Sequence, residues 1–138
     1  MITVSTEEFS RGLQGWANRF NVRNDVAVRN IASRLFEWII RYTPVDTGWA
    51  RANWYPSINT RVSVDPGDAP EGAVNIPAAQ PAAVVATGKA GDIFFLQNGV
   101  SYIKNLEDGT SQQAPEGMVK RAIADVGTFL NQYAGGRR

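Results

Sequence analysis

Residues 25–42 carry the pattern that most restricts how this chain can fold. Apolar side chains recur there every three or four positions with arginine, asparagine and glutamate between them, so the segment predicts an amphipathic helix. Further apolar residues widen the buried face beyond one stripe, which is consistent with contacts on more than one side. Pro44 ends the helix, because the residue before a proline is disfavoured in helical geometry. The stripe consists of Val28, Ile31, Leu35, Ile39 and Tyr42.

Two further helices are predicted, one before this helix and one at the C-terminal end. The earlier one follows from apolar residues at helical spacing. The later one is expected to begin near Pro115, because proline is favoured at the first helical position, and to end before the glycines at 135 and 136. The apolar residues of the earlier helix are Phe9, Leu13, Trp16 and Phe20.

The strand signals are short. Residues 51–55 indicate a strand weakly, whereas residues 92–97 and 101–106 predict two strands joined by the Asn-Gly pair at 98–99, a common two-residue hairpin turn. We therefore expect one α+β domain over residues 1–138. It would contain two N-terminal helices, a small, mostly antiparallel sheet that includes the hairpin, a long loop and a C-terminal helix.

The long loop covers residues 58–90 and is rich in proline, glycine and alanine. Within it, residues 81–86 predict a short helix. A loop of this length is unusual inside a compact domain, where it is commonly functional. Two interpretations stay open: a solvated variable loop, or an arm that reaches a neighbouring subunit.

Composition narrows the chemistry that the chain can perform. Fourteen basic and 13 acidic residues give a net charge of +1, which argues against binding nucleic acid through bulk charge. Cysteine and histidine are both absent, which excludes disulfides, thiolate nucleophiles and every histidine-based catalytic arrangement. No apolar run approaches the ~20 residues of a bilayer span, and the N-terminus lacks the form of a signal peptide. We expect a protein folded in a reducing cytoplasm, with no catalytic, cofactor or metal site.

One triplet carries an enzyme signal. Asp46, Thr47 and Gly48 form the D-T-G sequence of aspartic proteases, which retroviral-type enzymes use as a dimer in an all-β fold. Here the triplet follows a helix and Pro44, so a structural turn is favoured, with Asp46 bonding the following amides and Gly48 at positive φ. A dimeric aspartic protease using Asp46 is the alternative of another class.

Two segments together resemble a family of tailed-phage minor tail proteins. TPVDTGWARANW at 43–54 is similar to the family's "aPVDTGrLRaSw" segment, and NGVSYIKNLEDGTSQQAPEGM at 98–118 is similar to "NnvpYa..lEyGTSkqaPaGMv". Their order, the insertion between them and the flanking helices all fit the tail-completion or neck proteins of long-tailed phages. Trp49 and Asp108 depart from the family pattern. Within the second segment we expect Gly109 to make the turn, with Pro115 and Glu116 opening the last helix.

The resemblance implies an α+β fold and a non-enzymatic virion protein of the neck, assembled in the host cytoplasm. It would act as a tail-completion ring that joins head to tail; tail terminator and head-closure roles are alternatives at the same junction. Its partners would be further copies of itself and other connector, neck, terminator or tail-tube proteins, with at most incidental DNA contact and no membrane. The expected turn residues are Pro44, Asp46, Thr47, Gly48, Gly109, Thr110, Ser111 and Pro115. The candidate interface residues are Trp49, Arg51, Trp54, Gln112 and Gln113.

Overall fold

A computed structural model describes the backbone of residues 6–20 and 22–133 and the side chains of residues 11–20 and 22–133. Phe9 of the predicted first stripe therefore lies outside the described side chains. The described part contains six helices and a two-stranded antiparallel sheet, so the predicted α+β class is confirmed. In chain order the elements are α1 (Thr6–Phe20), α2 (Asn24–Tyr42), α3 (Trp49–Ala52), β1 (Trp54–Ile58), α4 (Ala82–Val85), β2 (Phe94–Asn98), α5 (Ile103–Glu107) and α6 (Val119–Asn131).

Helix α2 is the centre of the core, as its wide apolar face predicts. Three clusters of buried side chains each draw on it: Ile39 and Ile40 pack with the start of β1 and with α6, and Ile31 packs farther along α6. Phe36 packs on its other side against α4. Burying one such side chain contributes about 1.5–3 kcal/mol relative to leaving it in water. Because α2 contributes to all three clusters, it is the main apolar element of the domain.

Helices α1 and α6 approach each other closely because α1 presents glycine at the contact. A Cβ atom placed on Gly12 would lie 2.6 Å from the Cβ of Leu130, and one placed on Gly15 would lie 1.8 Å from the carbonyl oxygen of Tyr133. Any side chain at these two positions would force the helices apart. The glycines therefore fix how α1 lies on α6.

A polar contact joins α2 to α6 beside this packing. The hydroxyl of Tyr42 donates a hydrogen bond to the carboxylate of Asp125, and the guanidinium of Arg121 lies 3.9 Å from the centre of the Tyr42 ring. Burial raises the pKa of Tyr42, and the bond to Asp125 raises it further because it favours the protonated phenol.

The sheet differs from the predicted hairpin. Strand β2 pairs antiparallel with β1, from Trp54 opposite Asn98 to Ile58 opposite Phe94. The predicted return strand at 101–106 is wrong, because residues 103–107 form α5. The Asn-Gly pair is not a hairpin turn: the Asn98 side chain donates to the Ala50 carbonyl and accepts from the amide that follows Gly99.

Two element boundaries also need correction. Of the weak strand predicted at 51–55, residues 51 and 52 belong to helix α3 and the strand begins at Trp54. The C-terminal helix begins at Val119 and not near Pro115. Gly117 lies between these two positions with a φ of 79°, a left-handed conformation that a right-handed helix cannot contain. Residues 115–116 instead form a turn.

The long loop follows the surface and contains α4 where residues 81–86 predicted a helix. Asn59 turns the chain back with a φ of 63°, and the amide of Val62 donates to the side chain of Gln97 at 2.9 Å. Farther along, the amide of Ile76 donates to the carbonyl of Thr47 at 2.9 Å. The loop is therefore attached to the rest of the domain at residues 62 and 76, while most side chains between these attachments are exposed to solvent.

Candidate interaction site

The two segments that resemble the phage family meet at one corner of the fold. The side chain of Gln113, from the second segment, bonds both backbone groups of Val45, from the first. Its Oε1 accepts from the Val45 amide at 2.9 Å and its Nε2 donates to the Val45 carbonyl at 3.0 Å. One amide side chain thus pairs with a backbone unit as a neighbouring strand would, and it holds together segments 68 positions apart in sequence.

A surface depression of about 340 Å³ lies between the two segments. The first segment supplies one wall and the second supplies the other, while Ala69 of the long loop closes one side. The depression therefore depends on both segments holding their positions. Its principal side chains are Pro44, Asp46, Trp49, Tyr102, Leu106 and Ser111.

The D-T-G triplet forms a structural turn, as expected, but a different residue stabilises it. Gly48 has a φ of 92°, and a Cβ placed on it would lie 2.6 Å from the carbonyl oxygen of Ile76. The amide of Trp49 donates to the hydroxyl of Thr47 at 3.2 Å. The expectation that Asp46 bonds the following amides is wrong: Asp46 is exposed, and within the described residues its carboxylate accepts no hydrogen bond.

Asp46 nevertheless affects the depression electrostatically. Tyr102 lines the same space, and its partial burial raises the pKa of its hydroxyl. The negative charge of Asp46 raises that pKa further, because it disfavours a second negative charge nearby. This side of the depression therefore combines a neutral phenol with an exposed carboxylate.

The turn in the second segment is largely as predicted. Gly109 has a φ of 91°, and a Cβ placed on it would lie 2.4 Å from the carbonyl oxygen of Pro115. The hydroxyl of Ser111 accepts from the amide of Gln113 at 3.1 Å, as expected for a residue that satisfies a loop amide. Thr110 differs, because its hydroxyl donates to the carbonyl of Asn105 at 3.0 Å. Pro115 is exposed and is part of the turn, not the first residue of the helix.

Sequence analysis missed the residue that joins this turn to α6. Both carboxylate oxygens of Glu107, at the end of α5, accept hydrogen bonds from backbone amides at the start of α6. Oε1 accepts from Met118, the residue before the helix, at 3.0 Å and from Val119 at 2.8 Å, and Oε2 accepts from Lys120 at 3.0 Å. The negative charge also suits the positive end of the helix dipole. Glu116, the carboxylate expected there, is exposed. The distance in sequence between Glu107 and α6 leaves no local signal for this cap.

The five candidate interface residues differ in their burial and in their hydrogen bonds. Trp54 is 6% exposed in the core and donates its Nε1–H to Thr43 Oγ1 at 2.9 Å, so its assignment to an interface is wrong. Arg51 is half-buried and donates to the carbonyl of Ile76 at 3.2 Å, which attaches the long loop. Gln113 is exposed, but its amide is occupied by Val45. Trp49 is half-buried in the wall of the depression.

Gln112 is exposed, and within the described residues its side chain makes no hydrogen bond. Of the five candidates, Trp49 and Gln112 therefore keep surface that another molecule could contact.

No group of three histidine, cysteine, aspartate or glutamate side chains suited to a metal ion occurs in the described part of the chain. Nor does any described helix combine the length and apolar character that a bilayer span requires.

Comparisons of the chain with family models, with curated proteins and with solved structures found no match.

Proposed function

We propose that the chain is a structural protein of the neck of a tailed phage, a tail-completion component that forms a ring and joins head to tail. The observation that carries the proposal is the meeting of the two segments that resemble the family. Two chance similarities would have no reason to be adjacent in space, whereas Gln113 binds Val45 directly. The residues these segments share with the family pattern include Gly48 and Gly109, whose backbone geometry requires glycine.

The function would be binding. The corner formed by the two segments is held by turns and by the Glu107 cap, and so offers a rigid surface to a neighbouring protein of the junction. The long loop supplies a second, extended surface for contact with adjacent copies. A ring needs a head-to-tail interface in which two different patches of one subunit meet. Tail terminator and head-closure proteins of the same junction would use the same features.

A mass measurement tests this proposal. Native mass spectrometry would be applied to the purified protein alone and after mixing with the connector and tail proteins of the same virion. The proposal expects a closed assembly with an integral number of copies in at least one mixture. A monomer in every mixture would contradict it.

The protease alternative lacks support from the fold. Its chemistry needs two aspartates on rigid loops of an all-β frame, whereas Asp46 lies on an exposed turn after α2 in a fold with six described helices. The variant Asp46→Asn separates the two functions. A ring protein should keep its assembly and helix content, whereas a protease should lose peptide cleavage completely.

A further inference from the structure

Arginine and aromatic side chains form a continuous line over the seam of α1, α6 and α2. The guanidinium of Arg34 lies 4.2 Å from the ring centre of Phe129 and 5.6 Å from that of Trp38. On one side the line continues through Tyr133 to Phe20, with ring centres 5.8 and 6.0 Å apart. On the other it continues from Trp38 to Tyr42 at 6.5 Å. We name this line the stripe: Phe20, Tyr133, Phe129, Arg34, Trp38 and Tyr42.

The stripe has the composition of a protein interface. Aromatic residues and arginine are the types most enriched where proteins bind each other. Phe20 is 53% exposed, and a depression of about 770 Å³ beside Trp38 is lined by Arg34 and Arg41. The other rings of the stripe are half-buried, so a partly covered row of rings with Phe20 exposed at one end adjoins a concave surface.

The charge around the stripe is positive. Four arginines lie on or beside the stripe, compared with two carboxylates, those of Glu37 and Asp125. Asp125 already accepts the Tyr42 hydroxyl bond and lies 3.8 Å from Arg121. The remaining positive charge favours an acidic partner. The four arginines are Arg19, Arg34, Arg41 and Arg121.

The same chain carries an acidic, exposed segment. Residues 62–75, which we name the acidic arm, contain Asp65, Asp68 and Glu71, and no lysine or arginine occurs between Arg61 and Lys89. All three carboxylates are exposed, and Val74 has 72% of its surface in water. Val74 is close in sequence to three carboxylates that form no ion pair with a described lysine or arginine. Together they complement a surface of rings and guanidinium groups.

We propose that the acidic arm of one copy lies on the stripe of the next copy, and this inference rests on the proposed ring. The two patches differ, which is what a head-to-tail contact requires. The carboxylates of the arm would face the arginines, and Val74 would be buried against the rings. Such a contact weakens as salt rises, because exposed charges are screened.

Disulfide trapping tests the contact directly, since the chain has no cysteine of its own. Val74→Cys places one thiol on the arm, and Asn30→Cys places another beside the stripe, at exposed positions. The two variants would be mixed under mild oxidation, and the mixed disulfide dimer would be identified by its intact mass. The control replaces Asn30→Cys by Asn105→Cys, at an exposed position on α5.

We expect the mixed dimer of Val74→Cys with Asn30→Cys to exceed the control dimer at least about fivefold, because steered contacts raise the local concentration of paired sites. Equal yields would overturn the proposal. The proposal would also be overturned if the stripe bound a single-stranded oligonucleotide and the yield of the mixed dimer stayed at the level of the control.

A charge exchange provides an independent test with exposed residues only. Asp68→Lys with Glu71→Lys reverses the arm, and Arg19→Glu with Arg41→Glu reverses the stripe. In the trapping assay each reversed pair should lower the mixed-dimer yield about tenfold, because like charges then face each other. Carrying all four changes in both proteins should restore it. Folded helix content, measured by circular dichroism, is the control, and a quadruple variant that is folded but not restored refutes the contact.

The outcomes separate this inference from the proposed function. A ring seen by native mass without selective trapping would leave the ring and remove the arm contact. Selective trapping without a ring in any mixture would keep the arm contact and remove the neck function.

Discussion

Replacing Glu107 by alanine should destabilise the domain more than any other single change of an exposed or half-exposed charge. Its carboxylate accepts three hydrogen bonds from backbone amides at the start of α6. Only 21% of the Glu107 side chain is exposed, so water cannot fully replace these hydrogen bonds in the folded protein. Hydrogen bonds to a charged group contribute about 1.5–3 kcal/mol each, but three bonds to one group do not add. Losing an ordinary helix cap costs about 0.5–2 kcal/mol.

We therefore expect Glu107→Ala to lower the free energy of unfolding by about 3 kcal/mol. For a domain of this size that lowers the melting temperature by roughly 10 °C. Glu107→Gln keeps one accepting oxygen and should lose about half as much. Thermal and urea unfolding followed by circular dichroism would measure both.

The matched control is Glu116→Ala, which removes the carboxylate that the sequence places at the start of the helix. Glu116 is exposed, so its loss should change the free energy of unfolding by less than about 0.5 kcal/mol. Equal losses for the two variants, or a neutral Glu107→Ala, would refute the assignment of the cap.

Three further predictions follow from the same geometry. Gly48→Ala should cost about 3 kcal/mol, because positive φ and a clash act together, whereas Gly67→Ala, at positive φ with open space, should cost about 1 kcal/mol; urea unfolding compares them. Gln113→Ala should lower the melting temperature by about 4 °C, and its neighbour variant Gln112→Ala should not. Tyr42 has a pKa raised above its ordinary 10.0, so its contribution to stability should be constant below pH 10 and fall as pH rises through the raised value. Tyr42→Phe should remove that part of the alkaline loss, and an unchanged profile would contradict it.

The helices could be predicted because their periodicity is local. The apolar face of α2, the end of α2 before Pro44 and the short helix in the long loop all follow from residues that are close together in sequence. The partner of β2 could not, because β1 lies far away along the chain. Ser101 to Leu106 is short enough to read as strand or helix, and the core contacts of Ile103 and Leu106, three positions apart, favour a helix.

The sequence predicts the two turn glycines of the site. It does not predict the hydrogen bonds that join segments remote in sequence. Gly48 and Gly109 are recognisable because positive φ has a sequence signature. The Glu107 cap and the Gln113 bridge join remote segments, so neither has a local pattern. Trp54 shows the limit of residue-type arguments, since tryptophan suits both a core and an interface and only burial decides between them.

If the proposed function is right, a tailed phage encodes this chain, and electron cryo-microscopy of that phage tests the central proposal most directly. We expect a closed ring of copies at the junction of head and tail, with density that fits α2 and α6. Absence of the chain from the purified virion, or copies located elsewhere, would contradict the proposed function.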